Sequence, residues 1–349
     1  MTRLFFRLPV LIALAALLIA PACAESTKVT FLLVNDIYQM SAQTMPDGKT
    51  RGGFARLATV AKAERAKGGH VIVAHGGDTL SPSLMSSIDQ GAHIVALSNM
   101  VGLDIFAPGN HEFDFGKAVF LARMAEAKFP VFAANLRGPD GQPLAGMKDR
   151  AIVTFDGVRI GLTGAAFDDS PRASSPGDLK FLPTVATEKA QAEALRREGA
   201  DFVAAVMHAD RQQGYALFAT RSVDLILTGH NHDLFVNFDE RTAMVESSYD
   251  AHYLTAIDVA IDVTTRDGAR ETKWWPQFRI IDTATVAPDP EVEAVVAGYE
   301  GSWTARWTCR SPPPKSSSTA APAPCAHVKR RSEISLPTRC ARRQRRMPR

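Results

Sequence analysis

Short runs of apolar, often β-branched residues recur along the chain at 29–34, 71–74, 105–107, 131–134, 160–163, 202–207 and 225–228. Between several of them, at 54–67, 116–128 and 187–198, apolar positions fall three and four apart, the spacing that gives a helix one apolar face. Strand-length runs alternating with such helices predict an α/β layered domain. Runs at 256–263 and 272–281 predict late strands closing the same domain. Pro288-Asp289-Pro290 ends it, and 291–299 reads as a short connecting helix. The expected organisation is one domain over 25–285, a linker helix over 286–300 and a separate tail over 301–349, with no internal repeat.

The first segment has a different pattern. Arg3 and Arg7 precede a thirteen-residue apolar run at 8–20, followed by Ala22-Cys23-Ala24. A membrane span needs about 20 apolar residues, so these are the charged, apolar and cleavage regions of a secretory signal peptide, cut after Ala24. The expectation is a periplasmic or secreted protein without a membrane span. A mean hydropathy of −0.07 also excludes a multi-span membrane protein.

The formal net charge of +3 conceals an asymmetry. From Arg306 onward there are twelve Lys/Arg and one acid, Glu333, whereas residues 25–300 hold 26 basic and 36 acidic side chains. An acidic body argues against a nucleic-acid-binding scaffold and suits a protein that collects cations. The four cysteines are Cys23, Cys309, Cys325 and Cys340, so residues 25–300 have neither a disulfide framework nor a thiolate metal site. Any metal there must be held by His, Asp, Asn or Tyr.

Polar, His-rich tips follow the apolar runs: Asn35-Asp36, Gly77-Asp78, Gly109-Asn110-His111, His208 and Gly229-His230-Asn231-His232. In open α/β sheets ligands bind beyond the carboxyl ends of strands, where such loops converge. Asp36, Asp78, Asn110, His208, His230 and His232 supply carboxylate, amide and imidazole ligands suited to Zn²⁺, Mn²⁺, Fe or Mg²⁺. Two divalent ions about 3.5–4 Å apart clamp the attacking and leaving oxygens of a phosphoryl transfer. Asp78, after a Gly-Gly turn, is the best candidate to bridge such a pair. His70, His75, His93 and His252 match no ligand position and are read as structural.

NDIYQ (35–39), GGFARL (52–57), HGGDT (75–79), GNHEFDFG (109–116), AANL (133–136), MHAD (207–210) and TGHNHD (228–233) resemble the calcineurin-like metallophosphoesterase superfamily. Within it they are similar to the secreted 5′-nucleotidases, UDP-sugar hydrolases and 2′,3′-cyclic-nucleotide phosphodiesterases. The resemblance implies a four-layer α/β/β/α sandwich with a dinuclear site. Asp36, Asp78 and His232 would hold one ion, and Asp78, Asn110, His208 and His230 the other. It also implies that His111 is the catalytic histidine and Asp114 the carboxylate orienting it. One position departs from the pattern: the first motif is usually D-x-H, and here its third residue is Tyr38. A phenol is a poorer ligand than imidazole, so the first site is expected to be weaker, differently metallated, or completed by water or the Tyr38 oxygen.

The tail holds Pro312-Pro313-Pro314 and RRQRRMPR, a composition expected to be disordered. The resembled family continues here into a second domain that stacks the nucleotide base between aromatic side chains. One choice of GC-rich codons for 307–348, read two bases later, gives a stretch similar to the opening of that domain. The tail is therefore expected to be its out-of-frame remnant. The expected function is a monomeric, secreted, metal-dependent phosphoesterase that hydrolyses phosphate monoesters of nucleotides by metal-activated hydroxide. The alternative is a catalytically impaired metal-binding protein lacking the substrate domain.

Overall fold

The computed structural model describes residues 23–310. The expected signal segment, but for its last two residues, and the basic tail lie outside them. The chain divides at residue 300, and both sheets, the helices packed on them and the loops between them lie in the unit that ends there.

Two sheets form the centre. The first has seven strands in the order Ala269–Asp282, Tyr253–Arg266, Cys23–Val34, His70–His75, Ile105–Phe106, Val131–Phe132 and Met147–Lys148. The second has six, in the order Leu234–Phe238, Ala243–Ser247, Leu225–Gly229, Phe202–His208, Val158–Ala165 and Arg150–Phe155. The period of two along Cys23–Val34 builds the layers. Phe31 and Leu33 enter a core shared with Phe202, Ala204, Leu225 and Leu227 of the second sheet. Leu32 and Val34 point the other way, into a core with Phe54, Leu57, Ile94 and Leu97 from helices Phe54–Ala66 and Ala92–Val101. On the far side, Val203, Ala205 and Met207 pack with Ala192, Leu195 and Leu217 from helices Thr184–Arg197 and Arg211–Thr220. The result is helix, sheet, sheet, helix, the four-layer α/β/β/α sandwich expected.

The helices expected at 54–67, 116–128 and 187–198 are Phe54–Ala66, Lys117–Glu126 and Thr184–Arg197. The last begins three residues earlier, just after Pro183, and its first N–H, that of Thr184, donates to Asp168 Oδ2 at 2.8 Å. The late strands are longer than expected, running over Tyr253–Arg266 and Ala269–Asp282 as one hairpin. Asp267 and Gly268 turn it, both with positive φ, as a two-residue turn matched to strand twist requires. The connecting helix also runs on, as Pro290–Arg310, with Val292 and Val296 docked against the first helical layer.

The central strands are parallel, so their carboxyl ends align: Val34 pairs with His75, His75 with Phe106, and His208 with Gly229. The loops that follow all leave from one edge of the sandwich.

Candidate metal centre

Every loop singled out for chemistry departs from that edge, and glycine lets the loops meet. Gly77 has φ +88, and a Cβ there would lie 2.7 Å from the Ala107 carbonyl and 2.8 Å from His208 Nδ1. At Gly229 a Cβ would lie 2.7 Å from Asp36 Oδ2. Four expected ligands, Asp36, Asp78, His230 and His232, themselves have positive φ (54°, 57°, 99° and 61°). Such backbone is sparsely populated in non-glycine residues, and it persists only where the surroundings over-determine it.

Three buried carboxylates supply that restraint, and none was singled out in the sequence. Glu112 accepts backbone N–H groups from Thr79 (2.7 Å) and Leu80 (3.2 Å) on Oε1, and from Asp78 (2.9 Å) and Gly109 on Oε2. Glu246 accepts from the backbone of Asn231 at 2.7 Å and from Arg211 at 2.9 Å. Asp250 accepts the N–H groups of Tyr38 at 2.7 Å and Gln39 at 3.0 Å. Each clamp fixes a loop that carries candidate ligands. Glu112 had a signal, its place in GNHE; Glu246 and Asp250 had none, since the groups they accept from lie on other loops, distant in the chain.

The side chains then converge. His208 Nε2 lies 3.0 Å from Asp78 Oδ2 and 3.2 Å from His230 Nδ1. Ligand atoms of Asp78, His208 and His230 all lie within 4.8 Å of one another. His232 Nε2 is 3.2 Å from Asp36 Oδ1. Tyr38 Oη is 3.1 Å from Asp36 Oδ1, 3.0 Å from His232 Nε2 and 3.4 Å from Asp78 Oδ2. Asn110, in the loop whose His111 N–H donates to Asp78 Oδ1 at 2.8 Å, is buried. His111 Nδ1 is 2.7 Å from Asp114 Oδ2. The structure thus brings together Asp36, Tyr38, Asp78, His208, His230 and His232, with Asn110 and the His111–Asp114 pair in the adjoining loop. His75 and His93 are fully buried outside the ligand cluster; His75 takes the Gly77 N–H, and His93 faces Asp89. His252 borders Tyr249, and His70 stacks on Phe155.

The residues present fit a cation. Asp36 and Asp78 are buried, and among the described residues their ion pairs are with histidines only, never with Lys or Arg. Asn110 Oδ1 is buried without a hydrogen-bond partner among the described residues, which is costly unless something positive faces it. His208 places Nδ1 2.7 Å from the Gly76 carbonyl, which fixes the tautomer and leaves Nε2 free to ligate. Burial works against charge on His208, but Asp78 and Asp36 outweigh it and raise its pKa: without a metal, a proton compensates these carboxylates. Burial also disfavours ionised Asp36, yet His232, His208 and the N–H groups of His230 and Asn35 hold its carboxyl below the usual range. Burial and the charges of Asp36 and Asp78 push the Tyr38 phenol far up. Burial disfavours charge on His111 as well, and the hydrogen bond to Asp114 with the charge of Asp78 raises it regardless.

A family description, calcineurin-like phosphoesterase, matches residues 29–234. The chain belongs to that family. Phosphoesterases of this family depend on metal, in keeping with the group at Asp78, His208 and His230. The NAD 5′-nucleotidase of Haemophilus influenzae is 29% identical over 247 residues, 66% of this chain and 40% of that protein. The 5′-nucleotidase of Rattus norvegicus is 27% identical over 235 residues, 64% of this chain and 41% of that one. The chain therefore spans about two fifths of the length of these curated relatives. The 5′-nucleotidase precursor of Thermus thermophilus shares the fold at a TM-score of 0.67 and 19% identity, over 80% of this chain and 59% of its own. A calcineurin-like phosphoesterase of Bacillus subtilis does so at 0.66 and 18%, over 79% of this chain and 98% of its own.

Glu112 offers a test of how the chain holds this site together. Burial and the charge of Asp78 push its carboxyl up to about 7, while the N–H groups oppose the shift. Glu112→Gln keeps the shape but turns one acceptor into a donor facing two backbone N–H groups. The expected result is a roughly 10–100-fold loss of metal affinity, as for other partners that orient ligands without touching the metal. Equilibrium dialysis against Mn²⁺ measures it; unchanged affinity would remove Glu112 from the site's support.

Proposed function

We propose that the chain is an exported phosphomonoesterase that acts on nucleotides, in the manner the names of its 5′-nucleotidase relatives indicate. The observation that carries this reading is the arrival of the candidate ligands and the His111–Asp114 pair at one edge of the sandwich, on loops from both sheets. Asp36, Asp78 and His232, with Tyr38 beside them, would hold one divalent ion, and Asp78, Asn110, His208 and His230 another, from among Zn²⁺, Mn²⁺, Mg²⁺ and Fe. Such ions draw charge off a phosphoryl group and make water acidic enough to attack near neutral pH. His111 is half-buried, so its ring reaches a phosphate ester. Asp114 holds Nδ1–H, which leaves Nε2 to donate to the phosphoryl or leaving oxygen. The expected substrate is a small phosphate ester. The expected compartment, periplasmic or secreted, rests on the first 24 residues, and among the described residues no helix is long and apolar enough to cross a membrane.

The test is release of inorganic phosphate from AMP and p-nitrophenyl phosphate by the full chain, with Mn²⁺ or Zn²⁺ and with chelator. His111→Ala is expected to lower release by about 10²–10⁴ while bound metal stays unchanged. Undiminished release in that variant, or in chelator, would overturn the reading. A second reading, a metal-binding protein without turnover, is favoured by Tyr38, whose phenol stands against Asp36, Asp78 and His232. Bound metal with no release from either ester would select it.

A further inference from the structure

We propose that the two cation positions are unequal: Tyr38 holds the one beside Asp36 and His232 open, so this chain takes up one divalent ion tightly, at Asp78, Asn110, His208 and His230, and a second only weakly. The inference rests on the metal-centre reading above and divides that centre in two.

The donors of the tight position are ready for an ion. Asn110 Oδ1 is buried and has no partner among the described residues. His208 Nε2 and His230 Nδ1 face each other across 3.2 Å, two ring nitrogens that a cation between them would serve together. A cation bound to N and O atoms at about 2.0–2.2 Å needs its donors within roughly 4 Å of one another. Asp78, His208 and His230 approach that spacing, with ligand atoms all within 4.8 Å. Among the described residues, Asp36, Asp78 and His232 do not form such a group.

Tyr38 accounts for the difference. Its hydroxyl stands between Asp36 Oδ1 at 3.1 Å and Asp78 Oδ2 at 3.4 Å, with His232 Nε2 at 3.0 Å. The donors that would close on an ion are therefore spread around a phenol oxygen and already satisfied by it. An ion entering there must break these hydrogen bonds, draw the two carboxylates together and displace the phenol or accept it as a ligand. At the other position the Asp78–His208 and His208–His230 contacts must open as well, but no phenol has to be displaced, and the ion gains Asn110 Oδ1, which has no partner among the described residues. The ring is also held in place, edge-on to His111 with centroids 5.6 Å apart and against His232 at 5.6 Å. Exposure agrees: the His232 side chain is 42% exposed and that of His208 is 0%. The outer position thus competes with water more directly.

The experiment is Mn²⁺ binding to the metal-stripped full chain, with free Mn²⁺ read by electron paramagnetic resonance and phosphate release from AMP measured in the same samples. The expected result is one tight equivalent and a second at least about 100-fold weaker, beyond the 10–100-fold effect of losing a partner that only orients a ligand. Tyr38→His supplies an imidazole and removes the wedge; it is expected to bring the second equivalent within about tenfold of the first and produce the signal of a spin-coupled Mn²⁺ pair. His230→Ala is expected to remove the tight equivalent. Two equivalents of like affinity in the wild-type chain, with phosphate still released, would overturn this proposal and leave the phosphoesterase reading intact. No bound Mn²⁺ at all would overturn both. The wild-type stoichiometry decides the matter whether or not the variants fold.

Discussion

An Asp78→Asn variant is expected to lose both the phosphate release of the wild-type chain and the thermal stabilisation that divalent metal gives it. Asp78 stands between the two candidate positions. Its Oδ1 accepts the His111 N–H at 2.8 Å, and its Oδ2 lies 3.0 Å from His208 Nε2 and 3.4 Å from Tyr38 Oη. A ligand that binds only the folded state stabilises it by about 4 kcal/mol at a concentration a thousandfold above its Kd. At roughly 2–4 °C per kcal/mol for a domain of about 150–250 residues, Mn²⁺ should raise the wild-type melting temperature by about 10 °C. Asn keeps the shape and the acceptor for His111, so the metal-free melting temperature should move little. Its amide nitrogen, placed where the second carboxylate oxygen was, opposes a cation. Melting curves with Mn²⁺ and with chelator measure the effect. A variant that still gains the full shift would show that the metal binds elsewhere.

The backbone scaffold of this site was more legible in the sequence than its restraints. Phe31–Val34, the end of the strand Cys23–Val34, and Phe202–His208 are buried on both faces, and such segments read as near-continuous apolar runs. The helix Phe54–Ala66 was legible because only one of its faces meets the core. Helix Ala92–Val101 was missed for the opposite reason: AHIVALSNMV is apolar almost all round, so no 3.6-residue period stands out. Helix Arg211–Thr220 was also missed. Gly214 interrupts its pattern, and the start signal is a reciprocal cap between Asp210 and Gln213 within a motif read for its chemistry. The short partner strands Leu234–Phe238 and Ala243–Ser247 owe their state to pairing with Leu225–Gly229 and with each other, a tertiary effect that short-range pattern does not carry. The same division holds in the site. Ligand types announce themselves by chemistry and by their place after apolar runs. Glu246 and Asp250 act on backbone N–H groups of other loops, which any sequence possesses, so nothing local marks them.

Glu188 is expected to make this protein less stable at pH 8 than at pH 5, and Glu188→Met to remove its share of that dependence. The residue sits in helix Thr184–Arg197, with its carboxyl wholly inside the helical layer over the second sheet. Thr163 favours the ionised form slightly, but its hydroxyl is committed to the Asp149 carbonyl at 3.0 Å, and both Glu188 carboxyl oxygens lack a partner among the described residues. Burial therefore pushes the group from 4.5 up to about 8. An acid whose pKa is raised by folding costs nothing below about 4.5, where folded and unfolded chains both carry the proton. Between about 4.5 and 8 the unfolded chain ionises and the folded one does not, so stability falls throughout that window; above about 8 both are ionised and the loss is complete. At 1.36 kcal/mol per unit the whole loss reaches about 5 kcal/mol, a large share of the roughly 5–15 kcal/mol that holds a domain folded. Met fills a similar volume without a charge to desolvate. Urea unfolding at pH 5 and pH 8, in chelator so that metal does not contribute, should show the variant's gain over wild type to be several kcal/mol larger at pH 8 than at pH 5. An equal difference at both values would mean that Glu188 is ionised in the folded chain and that a partner compensates it.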